Sequence, residues 1–140
     1  MAAAMAMTRT SKGETPNTPA MPAQTAEITM TAAITSHIER WLAAGDAGDL
    51  KAFDELLHPD VIVHAPAGLS TTSSEAEKAV WREAKSAIPD LRHAVQEVLV
   101  DGDVQMARVV VTGTMAAEFG GVAATGRPFR MDQAVIVHVR

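Results

Sequence analysis

The sequence predicts an α+β domain: three helices with one short strand among them, then a meander of antiparallel strands, with the helices packed on one sheet face. Two observations carry this. Apolar residues recur at helical spacing from Met30 to Ile88, and after Pro89 the chain changes to period-two alternation broken by glycine turns. When a run of helices precedes a run of strands, the helices segregate to one side of the sheet.

The composition is that of a single globular domain. The chain has 140 residues, of which 47% are hydrophobic and 21% charged. A net charge of −5 without a basic stripe argues against nucleic acid as a partner. The absence of cysteine excludes disulfides and thiolate chemistry. No apolar run approaches the ~20 residues of a membrane span, and "MAAAMAM" is too short for a signal peptide. A cytoplasmic protein without membrane association is the expectation, with a transit peptide as the alternative, since Arg9 and Lys12 precede the first acid, Glu14.

Residues 1–27 are rich in Ala, Thr, Pro and Ser and lack a period, which predicts an extended tail ahead of a domain at 28–140. Ile34, Ile38, Trp41 and Leu42 form the stripe of a first helix. "AGDAGD" ends it, and Asp49 caps a second helix carrying Leu50, Phe53, Leu56 and Leu57, closed by Pro59. "DVIVHAP" predicts a short strand. "STTSSEAEKAVWREAKSAIP" predicts a third helix, with Ser74 and Glu77 as capping box and Val80, Trp81, Ala84 and Ile88 buried. "LRHAVQEVLV" and "VQMARVVVTGTMAAEF" flank a "DGD" hairpin, "GGVAATGR" is the next turn, and "RMDQAVIVHVR" is the last strand.

Alternation assigns faces. In the last strand Phe129, Met131, Gln133, Val135 and Val137 share an apolar face and are expected inside. Arg130, Asp132, Ala134, Ile136 and His138 are expected outside. In the preceding strand Met106, Arg108, Val110 and Thr112 share a face, and a strand-edge salt bridge and a role in a binding site are the two readings of Arg108. No two histidines stand at i, i+4 on a helix with a nearby acid, so a metal site is unsupported, and no cofactor is expected.

The stretches "AGDLKAFDELLHPDVIVHAP", "IPDLRHAVQEVLVDGDVQMAR", "TGT" and "ATGR" together resemble the SnoaL-like polyketide cyclases of the nuclear-transport-factor-2-like superfamily. The resemblance implies a cone with a deep apolar pocket, walled here by Trp41, Val63, Ala65, Val110, Met131, Gln133 and Val135. It also implies a small hydrophobic, ketone-bearing ligand. Arg108 stands where the family carries an arginine. Val110 stands where epoxide-hydrolase relatives carry an acid, and Ala65 where isomerases carry the base. Trp41 stands in the place of the isomerases' oxyanion tyrosine. Family members continue past the last strand with a further strand bearing an acid, so the final strand is apparently missing here. An open edge of that kind invites a homodimer, through the edge or the outer sheet face.

The resulting expectation is a cyclase or isomerase moving a proton α to a carbonyl. His93 is then the best remaining base, and Arg108, Gln133 and Trp41 stabilise the enolate. The alternative is a non-catalytic ligand-binding or dimerisation module of the same fold, and the third reading is an epoxide-hydrolase-like enzyme.

Overall fold

The structure is a computed structural model that describes residues 35–140. The expected tail at 1–27, the domain start at 28 and Ile34 lie outside the described residues.

Helix α1 (His37–Asp46) starts at a capping box. The Ser36 hydroxyl accepts the Glu39 N–H at 3.1 Å, and the Glu39 carboxylate accepts the Ser36 N–H at 2.8 Å. Its buried stripe is Ile38, Trp41, Leu42 and Gly45. Asp49 does cap the next segment, but as a one-turn 3-10 helix, Leu50–Ala52, that runs into the short helix α2 (Phe53–Leu56).

The strand expected at "DVIVHAP" is replaced by a single bridge between Val63 and Thr71. Pro66 has no N–H and opens a 3-10 turn, Pro66–Gly68, so the extended backbone stops after Ala65. Helix α3 (Ser74–Ala87) is capped by Ser73, whose hydroxyl accepts the Ala76 N–H at 3.1 Å. The expected box of Ser74 and Glu77 does not form, because Glu77 turns into the interior. Trp81, Ala84 and Ile88 are buried as expected, and Val80 is half-buried.

The sheet has order β1-β2-β3, all antiparallel: β1 (Arg92–Asp101), β2 (Val104–Thr114) and β3 (Pro128–His138). Gly102 adopts φ 54° in the two-residue turn between β1 and β2, a conformation that favours glycine. β2 ends at Thr114 rather than continuing to Phe119. The N–H groups of Ala116 and Ala117 donate to the Ala87 carbonyl at 3.0 and 3.1 Å, which pulls the chain onto the end of α3.

The register corrects one facing assignment. Arg108 pairs with Ala134 and Val110 with Asp132, so both lie on the outer face with Asp132. Ala107, Val109 and Val111 are the inward, buried positions of β2 and pair with Val135, Gln133 and Met131. Paired residues share a face, so Arg108 and Gln133 cannot both point inward. In β1 a bulge at Gln96, between Val95↔Val109 and Glu97↔Arg108, shifts the alternation by one. His93 and Val95 precede the bulge and face inward; Val98 follows it and faces inward too.

The core comprises Ile38, Trp41, Leu42, Phe53, Trp81, Ala84, Ala87, Ile88, Leu91, Ala107, Val109, Val111 and Met115. Complete burial of Phe53 or Ile38 contributes about 1.5–3 kcal/mol each. Trp81 is the hub, with ring centroids 6.3 Å from Trp41, 5.8 Å from Phe53 and 5.2 Å from His93. Its indole lies directly on Gly45, where an added Cβ would come within 2.3 Å of the ring.

Candidate active site: a histidine–aspartate pair on the sheet edge

His93 lies near the start of β1 and pairs with the buried Val111 across the ladder. Its ring is held by Asp46, the last residue of α1. The Nδ1 of His93 lies 2.7 Å from Asp46 Oδ1, and the His93 backbone N–H donates to Asp46 Oδ2, also at 2.7 Å. The two side chains are 10% and 18% exposed, so the pair is shielded yet reachable. A carboxylate can only accept, so Nδ1 carries the proton of neutral His93 and Nε2 keeps a lone pair. That is the arrangement of an oriented general base.

Two further groups fix the ring's surroundings. The Trp81 ring lies against His93 at an interplanar angle of 46°. Trp81 is itself anchored by Glu77, whose Oε1 accepts the indole N–H at 3.0 Å while Oε2 accepts the Thr71 hydroxyl at 2.7 Å. Glu77 is only 4% exposed, and these two donors satisfy both of its oxygens. Trp41 packs edge-on to Trp81, and its Nε1 is buried and has no hydrogen-bond partner. It is a donor without an acceptor inside an apolar core.

An open cleft of about 530 Å³ runs beside α1 and reaches the pair. Leu42, Ala43, Leu91 and Val95 give it an apolar wall, and Glu39, Asp46, Asp90, Arg92 and His93 supply polar groups. Asp90 is held below the usual carboxylate range by Thr114, whose hydroxyl and N–H both donate to it, at 2.8 and 2.7 Å. Among the described residues no three His, Asp or Glu side chains converge on a metal position, and no helix is long and apolar enough to cross a membrane.

A profile of the SnoaL-like polyketide cyclases matches residues 35–140. The chain belongs to this family. Among solved structures it is similar to wild-type IdmH of Streptomyces antibioticus, described as a candidate polyketide cyclase. That match has 32% identity and a TM-score of 0.64, covering 74% of this chain and 81% of IdmH. TsrD of Streptomyces laurentii is 27% identical with a TM-score of 0.66, covering 82% of this chain and 80% of TsrD. A protein of Catenulispora acidiphila described as having a ketosteroid isomerase-like fold shares the architecture, with TM-score 0.64 and 18% identity over 75% of this chain and 76% of that one. No curated protein matches the chain.

Within this SnoaL-like fold the residues singled out in the sequence do not converge on one pocket. Of the two catalytic candidates, His93 lines the cleft, and Arg108 stands exposed on the outer face. Val110 lies on that outer face too. Val63, Ala65 and Val135 are half-buried, and Met131 is 43% exposed. Gln133 faces inward with its Oε1 buried and unpaired, and Asp132 faces solvent with Arg130 3.7 Å away. Sequence reasoning missed Asp46, and it read Glu77 as a helix cap rather than as the buried anchor of Trp81. Asp46 left one trace: an acid in the last turn of a helix opposes the helix dipole, so its retention there calls for a partner.

Proposed function

We propose that this SnoaL-like protein is a cyclase or isomerase that moves a proton α to a carbonyl of a small, hydrophobic, polyketide-like ketone. The observation that carries the reading is the Asp46–His93 pair opening on an apolar-walled cleft. His93 Nε2 takes the α-proton, and the C–H electron pair becomes the enolate. Asp46 keeps the imidazole in the productive tautomer and balances the imidazolium that forms. The enolate then closes on a second carbonyl of the same molecule, or is reprotonated at another position, and His93 returns the proton. No co-reactant is consumed. The Trp41 N–H lies in the core and not on the cleft, so it has no part in this step.

The test is solvent deuterium incorporation into the methyl group of acetophenone in D2O, followed by NMR. The wild type is expected to accelerate exchange, and His93→Gln to lose about 10²–10⁴-fold of that acceleration. Exchange that is equal for both proteins, with the ketone nevertheless bound, would favour the non-catalytic binding module.

A further inference from the structure

Glu77 is the only buried acid among the described residues, and the proton transfer from the ketone to His93 makes no direct use of it. It stands one helical turn before Trp81 on α3, so its carboxylate meets the indole N–H at 3.0 Å. Its other oxygen takes the Thr71 hydroxyl at 2.7 Å. Thr71 is fixed in turn by two backbone hydrogen bonds with Val63, both of 2.9 Å. Burying a carboxylate costs free energy, and this one is held where its bonds lock an indole in place.

That indole lies on His93. Asp46 grips one edge of the imidazole, at Nδ1. A single contact in the ring plane leaves the imidazole some freedom to swing about its Cβ–Cγ bond, because such torsions have broad wells. The face of Trp81, with its centroid 5.2 Å from that of the imidazole and tilted by 46°, closes that freedom. Gly45 lies against the indole ring and Phe53 packs edge-on to it at 5.8 Å, so the indole has no room to give way. Two helices therefore set the direction of Nε2, α1 through Asp46 and α3 through Trp81.

We propose that Glu77 and Trp81 are positioning residues for His93, which aim its Nε2 at the ketone without touching the ketone themselves. The inference rests on the reading of His93 as the base. Neither residue, nor Thr71, lines the cleft. Replacing them leaves the substrate's contacts in place and acts on the geometry of proton transfer. Trp81 also acts on charge. His93 becomes an imidazolium as it takes the proton, and the indole face beside it attracts that cation more than the neutral ring. The attraction thus grows as the reaction proceeds.

The kcat and KM of acetophenone deuteration separate positioning from binding. Trp81→Leu removes both face and anchor and is expected to lower kcat about a hundredfold, the loss that a small misplacement brings, with KM unchanged. Trp81→Phe keeps an aromatic face without the N–H, and Glu77→Leu keeps the indole without its acceptor. Each is expected to recover part of the loss, to about tenfold below wild type. Val109→Ala, a core change on β2, is the control for lost stability and is expected to keep the wild-type kcat. If Trp81→Leu does not fold, the other variants and the His93 ring protons decide. In the wild type those protons should be shifted by the Trp81 ring current, and in Glu77→Leu they should move toward their free-imidazole positions. Equal kcat in wild type, Trp81→Phe and Glu77→Leu, a loss confined to KM, an equal fall in Val109→Ala, or unshifted ring protons in the wild type would each overturn the inference and leave His93 as the base. A His93→Gln protein as active as the wild type would overturn both.

Discussion

Asp46 grips His93 twice, at the backbone N–H and at ring Nδ1, each at 2.7 Å. One carboxylate therefore closes the open side of β1 and sets the tautomer of the ring. Asp46→Asn offers one acceptor and one donor where two acceptors are needed. Stability should fall by about 1–3 kcal/mol in urea melts. The ring ¹⁵N shifts should report loss of the Nδ1–H tautomer, and acetophenone deuteration should drop nearly as far as in His93→Gln.

Gly45→Ala drives a methyl group into the Trp81 ring, at 2.3–2.5 Å from three of its carbons. The backbone there is regular helix, so the clash alone is at issue. Thermal melts should show a loss of about 1–3 kcal/mol, the cost of an overpacked core. Because Trp81 lies against His93, tryptophan fluorescence and the His93 ring signals should move together.

Glu77 reaches the core on the strength of two donors, Trp81 Nε1 and Thr71 Oγ1. Glu77→Leu leaves both without an acceptor and should cost about 1–3 kcal/mol for each. Glu77→Gln keeps one contact and should lose roughly half as much. Chemical denaturation of the three proteins side by side separates these outcomes.

Asp90 joins the α3–β1 connection to the end of β2 through its two hydrogen bonds from Thr114, and these hold its folded pKa below the ordinary 3.8. A carboxylate with a depressed folded pKa stabilises fully above its unfolded pKa, and the contribution disappears as pH falls through the folded value. The stability difference between wild type and Asp90→Ala should therefore be constant near neutrality. It should shrink only below about pH 4, as read from urea melts across a pH series.

Arg108→Leu removes an exposed side chain from the outer face. Stability should stay within about 0.5 kcal/mol, as for other surface positions, and deuteration should be unchanged. A loss of exchange would return Arg108 to the site.

Local rules carried the helices and turns. The stripe of Ile38, Trp41 and Leu42, the Asp49 cap and the glycine of "DGD" act through neighbours a few residues away, so the sequence alone announces α1, the capped segment after it and the β1–β2 hairpin. Period two on β3 likewise assigned Gln133 inward and Asp132 outward, because that strand is unbroken. Three features needed the tertiary structure. The bulge at Gln96 adds one residue and hides the facing of His93, since a single insertion inverts every later side chain. The β2–β3 register decides that Arg108 shares a face with Asp132, because face is a property of strand pairs and not of one strand's own alternation. Asp46 and His93 stand 47 residues apart, and no local pattern links them. They meet only because α1 packs along β1, and packing is set by the burial of Ile38, Trp41 and Leu42, residues that carry no chemistry of their own at that pair.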